Sequence, residues 1–187
     1  MQMQSQNRLI VVNLIGGPGV GKSQLAHAIM SELKRTNMRV EYVGEFAKDL
    51  SYRKDFDTLS DQLFVLANQH ARIRALVGQV DVVIMDTSLL LGLLYMPADY
   101  PSTFAPFLLD VYNSFNNVVF AISRHPDIEY QSWGRNQTLP EAIAKDNEVV
   151  DLLTKMQIPY IPIERGDGDV EAIIGHISHE LLAAQSS

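Results

Sequence analysis

The sequence predicts a three-layer α/β fold, a parallel sheet of five strands covered by helices on both faces. Five short runs rich in aliphatic and β-branched residues recur along the chain, and stretches with helical apolar spacing separate them. The first of these runs is apolar almost throughout, as a strand buried on both faces must be. At 187 residues the chain has the length of one domain, and no linker, repeat or low-complexity segment divides it, so a single domain is expected over residues 1–187.

The first seven residues (MQMQSQN) are polar and read as a flexible tail. Arg8 to Ile15 (RLIVVNLI) is the first strand, and glycines follow it. A helix is expected from about Gly21 to Thr36, because Leu25, Ile29 and Leu33 repeat every fourth residue. Arg39 to Val43 is a second strand, and Gly44 to Arg53 a helical turn and loop. Thr58 to Val77 reads as one long helix, opened by a capping box of Thr58 and Asp61, with Leu59, Leu63, Leu66, Ile73 and Val77 on one stripe. Asp81 to Met85 is the third strand, Ser102 to Ser114 a helix entered past Pro97 and Pro101, and Val118 to Ile122 the fourth strand. The polar segment of about 123–139, with Pro126 and Gly134, is expected to be a mobile lid. Pro140 in a first helical turn opens a helix to about Met156. Tyr160 to Ile163 is the fifth strand, and Asp169 to Ala184 the last helix.

Composition narrows the chemistry. With no cysteine, a disulfide scaffold, a thiolate zinc site, an iron–sulfur cluster and a cysteine nucleophile are excluded. The formal net charge of −7 argues against a broad basic face for duplex nucleic acid, although a local basic groove is compatible with it. The uncharged stretch Thr87 to Ala98 is too short to span a bilayer, and the N-terminus has no basic-then-apolar signal pattern, so no membrane partner and a cytoplasmic location are expected.

In such folds ligands sit at the carboxyl ends of the strands. The first strand ends in Gly16-Gly17-Pro18-Gly19-Val20-Gly21-Lys22-Ser23, a full G-x-x-x-x-G-K-S with a strand before it and a helix after it. Glycines let successive backbone N–H groups point at phosphate oxygens, and the helix start adds its positive end. Lys22 is expected on the β- and γ-phosphates of ATP, Ser23 on Mg²⁺, and Gln24 completes the nucleotide-binding set. Asp86 at the tip of the third strand is the second Mg²⁺-side group; a helix cap formed by Asp86 or Ser88 is the bland alternative. Glu45, just past the second strand, is a candidate base or metal holder, with Asp49 as its rival. Arg124 directly after the fourth strand and Arg135 in the lid are expected to neutralise a moving phosphoryl group, with surface solubility as the alternative. Arg53 and Lys54 are candidates for an acceptor phosphate or a solvated pair. Trp133 and Tyr130 are candidates for stacking on a base or packing against the chain. Gln62 and Gln69 are candidates for reading a base edge or plain exposed glutamines, His176 and His179 read as surface residues, and Phe104, Phe107 and Leu108 as core or pocket wall.

These motifs resemble the P-loop kinases of nucleosides and nucleotides. GEFAKDL, DVVIMDTSLLL and YQSWGRNQTLPEAI look like a family of phage-encoded small P-loop proteins, similar in turn to the nicotinamide riboside kinase domain. The resemblance runs from about residue 9 to 165 and implies the strand order 2-3-1-4-5. It also implies an ATP- and Mg²⁺-dependent kinase acting on a nucleoside-like hydroxyl. Some members of this clan phosphorylate 5-hydroxymethyluracil within DNA, and that hydroxymethyl pyrimidine is the specific acceptor expected here. Kinases of a free nucleoside, nucleotide or nicotinamide riboside, and an NTP-driven switch without a small acceptor, are the alternatives. The family pattern places an arginine beside the acidic residue of strand three; Thr87 stands there instead.

Overall fold

A computed structural model describes residues 9–125 and 138–185. Its sheet is entirely parallel, in the order β2-β3-β1-β4-β5, with β1 Ile10–Ile15, β2 Val40–Val43, β3 Val82–Met85, β4 Asn116–Ser123 and β5 Ile161–Glu164. Parallel neighbours need long crossovers, and helices supply them. These are α1 Lys22–Arg35, α2 Phe46–Arg53, α3 Phe56–Ser60, α4 Gln62–Arg74, α5 Leu91–Tyr95, α6 Phe104–Asn113, α7 Leu139–Lys155 and α8 Asp169–Gln185. No helix among the described residues is long and apolar enough to cross a membrane.

Strand periodicity divides the core. Ile10, Val12, Leu14, Ile84, Phe120 and Ile122 point to one face, where Leu25, Ile29 and Leu33 of α1 and Ile173 and Ile177 of α8 cover them. Val11, Ile15, Val83, Met85, Val119 and Ala121 point to the other, under Leu66 and Ile73 of α4, Leu108 of α6 and Val149 and Leu153 of α7. The expected three layers are therefore present, and β1 lies at their centre, buried at every position. This places the loop that leaves β1 in the middle of the carboxyl edge.

Four expectations are corrected. The long helix over 58–77 is broken at Asp61, whose carboxylate accepts from Phe64 N–H and starts α4 afresh. Its supposed capping box does not form; Asp55 caps α3 by accepting from Thr58 N–H. The short α5 lies in a stretch that sequence reasoning left unassigned, and Gly44–Arg53 is mostly the regular helix α2. Gln62 and Gln69 are buried rather than exposed; Phe107 is half-exposed and lines an apolar pocket with Leu63, Leu66 and Val111, in keeping with the pocket-wall expectation. By contrast, Thr138 and Glu141 form a capping box beside Pro140 at the start of α7, and this backbone and side-chain bonding holds the Glu141 carboxyl below its usual range.

Candidate functional site

Because every strand runs the same way, all five carboxyl ends share one edge, and the residues singled out above meet there. The loop Gly16–Gly21 leaves β1 and turns into α1 at Gly21, whose φ of 89° is left-handed and suits glycine alone. No side chain caps α1 and no acidic residue occupies its first turn, so its N–H groups and positive end face the loop. Lys22 folds back over the loop and donates from Nζ to Gly16 O at 2.8 Å and Gly17 O at 2.9 Å. Two loop carbonyls thus hold the ammonium against the loop. Gln24 is exposed one residue beyond, and its Oε1 accepts from Arg165 Nη2 at 3.4 Å.

Ser23 Oγ donates to Asp86 Oδ2 at 2.5 Å, joining the start of α1 to the tip of β3. Asp86 is 2% exposed, and its Oδ1 is buried without a hydrogen-bond partner. Asp86 caps no helix: Leu90 is the residue before α5, and the Ser88 hydroxyl accepts from its N–H. A hydroxyl beside a carboxylate with an orphaned oxygen is a donor pair that fits a hard cation such as Mg²⁺. Among the described residues no cluster of three or more His, Cys, Asp or Glu could hold a metal alone. A cation held by Ser23 and Asp86 would therefore be completed by water and phosphate oxygens.

Glu45 stands at the turn from β2 into α2. That turn is fixed from α4. Gln69 accepts from Phe46 N–H at 2.9 Å and donates to Gly44 O at 3.2 Å, gripping the backbone on both sides of Glu45. Arg72 also donates to Gly44 O, pairs with Asp49 at 2.7 Å, and lies over the Phe46 ring. Burial pushes the Glu45 carboxyl up; Lys22 opposes the shift, Asp86 reinforces it, and Lys48 and Asp49 add smaller opposed effects. Glu45 thus shares its field with Lys22 and Asp86, whereas Asp49 is committed to Arg72.

Tyr42 of β2 and Tyr95 of α5 flank this crevice. The Tyr42 hydroxyl is pushed up by burial and then by Asp86, and its ring packs on His27 at 4.6 Å. Tyr95 is 45% exposed and only partly shielded; its hydroxyl is pushed up by burial, then by Glu45 and Glu148, and Lys145 lies over its ring. Arg124 is at the expected edge, but it is engaged. Its Nε donates to Asp146 Oδ2 at 2.5 Å and its Nη2 to Pro18 O at 2.5 Å. Arg165, just past β5, reaches the same loop, with Nε and Nη1 buried and lacking hydrogen-bond partners and Asp169 paired at 3.3 Å.

The edge therefore brings together Gly16, Gly17, Pro18, Gly19, Val20, Gly21, Lys22, Ser23, Gln24, Glu45, Asp86 and Arg124. Arg135, Tyr130, Trp133 and most of the expected lid lie outside the described residues, as does the tail. Arg53 and Lys54 are exposed at the end of α2, and His176 and His179 are exposed on α8. Sequence reasoning named Gln69 without its grip on the turn that holds Glu45, and it missed Tyr42, Arg72, Tyr95, Asp146 and Arg165. Of these, Arg165 alone carried a readable signal, its place directly after a strand.

A family model described as an AAA domain matches residues 11–171. A search of curated protein sequences finds no match. Among solved structures, a NadR protein in complex with NR is similar with a TM-score of 0.67 at 15% identity, over 96% of this chain and 53% of that one. NadR in complex with NAD and AMP-PNP gives a TM-score of 0.67 at 13% identity, over 96% and 51%. The chain thus spans about half the length of the NadR chains it matches. Thymidylate kinase from Ehrlichia chaffeensis gives 0.59 at 17% identity, over 92% of this chain and 97% of that one. At such identities the likeness is one of fold, and the five-stranded order is that of these P-loop kinase neighbours.

Proposed function

Because the chain belongs to the AAA domain family, we propose that its P-loop binds ATP with Mg²⁺ and that it is a phosphotransferase acting on a hydroxyl of a nucleoside-like acceptor. The observation that carries this reading is the set of groups brought to one sheet edge: Lys22 donating to Gly16 O and Gly17 O, Ser23 hydrogen-bonded to Asp86, and Glu45 on a turn gripped by Gln69, with burial pushing the Glu45 carboxyl up. Glu45 stands at the neighbouring strand end, where Gln69 and Arg72 fix the backbone of its turn and Tyr42 and Tyr95 lie within its field. The nucleotide and nucleoside ligands or substrates named for the NadR and thymidylate kinase structures support a nucleotide donor and a nucleoside-type acceptor.

The roles follow from position. The loop amides and the start of α1 bind the phosphate tail. Lys22, already a donor to two loop carbonyls, exchanges these for phosphate oxygens, and Arg124 adds charge at the transferring group. Ser23 and Asp86 would hold Mg²⁺, which supplies charge neutralisation on the phosphates when bound. Glu45 orients the acceptor hydroxyl and receives its proton as the oxygen forms its bond to the γ-phosphorus; the bond to the β-bridging oxygen breaks, and ADP leaves with that electron pair. Arg135 is assigned to the same charge neutralisation from its sequence position.

The test supplies γ-labelled ATP and Mg²⁺ with free nucleosides, nicotinamide riboside and DNA containing 5-hydroxymethyluracil in parallel. Label in one of these acceptors is the expected result, and which one takes it assigns the substrate. Release of ADP and phosphate with no labelled acceptor in any arm would support the switch instead.

A further inference from the structure

We propose that Asp146 is a positioning residue for phosphoryl transfer, holding the Arg124 guanidinium and the Gly17 peptide in their working places. The inference rests on the kinase reading above and extends it to a residue on α7 that no sequence motif marks. Both oxygens of the Asp146 carboxylate are used. Oδ1 accepts from Gly17 N–H at 2.7 Å, and Oδ2 accepts from Arg124 Nε at 2.5 Å. Arg124 in turn donates to Pro18 O, so one carboxylate closes a circuit through the P-loop, the end of β4 and α7. The Arg124 and Asp146 side chains are only 18% and 21% exposed, so the pair is shielded from water.

The packing at this contact is close. A Cβ at Gly17 would overlap the Asp146 carboxylate and come within 2.6 Å of Ala142 O and 3.0 Å of Asp146 N. The P-loop therefore lies directly on the α7 backbone, at a distance set by a glycine. The peptide that Asp146 pins through Gly17 N–H carries the Gly16 carbonyl, which accepts from Lys22 Nζ at 2.8 Å, so the carboxylate is one peptide away from the lysine. A partly buried ion pair adds little net stability over apolar packing, but it does fix the direction of a guanidinium. A catalytic group displaced by about 1 Å can cost on the order of 100-fold in rate.

The experiment is a double-mutant cycle of Asp146→Ala and Arg124→Ala in the full chain. It reads kcat and KM for ATP, and the Gly17 amide proton shift of the nucleotide-free protein by NMR. Asp146→Asn is the variant for an Ala protein that does not fold, because it keeps an oxygen for Gly17 and removes the charge. Each Ala variant is expected to lower kcat about 10- to 100-fold with a smaller change in KM, and the double variant to fall within about threefold of the worse single one. Asp146→Asn is expected to be intermediate and to keep the Gly17 amide shift that Asp146→Ala loses. Fully multiplied losses in the double variant, wild-type kcat in both Asp146 variants, or a Gly17 amide unmoved by Asp146→Ala would each overturn the proposal. A wild-type protein that labels no acceptor would instead overturn the kinase reading, and the amide shift would still report whether the contact exists.

Discussion

Replacing Gly17 by alanine adds one methyl group where the P-loop rests on α7. Its Cβ would stand 2.6 Å from Ala142 O and 3.0 Å from Asp146 N, where ordinary contact begins at 3.4 Å. Both neighbours are backbone of a regular helix, so neither can swing away. Relieving the worse contact requires a displacement of about 0.8 Å between the loop and α7, which the 2.7 Å bond from Gly17 N–H to Asp146 cannot follow. Overpacking of this kind costs about 1–3 kcal/mol. For a chain of this length that lowers the melting temperature by about 2–12 °C. The same displacement moves the carbonyls that hold Lys22, so ATP affinity should fall as well. Thermal unfolding followed by circular dichroism, with calorimetric titration of Mg²⁺–ATP, checks both. A Gly17→Ala protein that melts with the wild type and binds ATP equally would refute the reasoning about this contact.

Glu45→Gln should depress turnover far more than ATP affinity, and it should raise stability at neutral pH. The sign follows from linkage: a carboxyl whose pKa is higher in the folded protein binds its proton more tightly there, so stability falls as pH rises from the ordinary 4.5 through the raised value. Melting curves across that window should show the wild type losing stability relative to Glu45→Gln, and the acid limb of the rate profile should lie above 4.5. Gln69→Leu removes the grip on both sides of Glu45 and leaves Phe46 N–H without its acceptor; urea denaturation should show a loss of about 1–3 kcal/mol, and steady-state kinetics a fall in kcat. Ile29→Ala empties a fully buried position between α1 and the sheet, and urea denaturation should register a loss of about 2–5 kcal/mol.

The layers and the phosphate-loop motif were readable because each rests on local chemistry, whereas the strand order followed only from the family resemblance. β1 announces burial on both faces by its apolar run, and the loop announces phosphate by its glycines and Lys22. The break at Asp61 was missed because a helical apolar stripe continues across it. What ends the first helix there is a second cap, and Asp55 and Asp61 are short acidic residues that compete for backbone N–H groups. The roles of Gln69 and Asp146 were illegible for another reason. Each makes its contacts with a segment remote in sequence, Gly44 and Phe46 for one and Gly17 and Arg124 for the other, and nothing in a helix face announces such partners. The pairing of Asp49 with Arg72 is tertiary in the same way.

Everything proposed for this edge depends on the loop after β1 gripping a triphosphate. Titration calorimetry of the full chain with ATP in the presence of Mg²⁺, beside Lys22→Ala, tests that directly. Saturable binding to the wild type, weakened about 10- to 100-fold by loss of the lysine's charged hydrogen bonds, is the expected result. No binding to the wild type, or equal binding to both proteins, would contradict it.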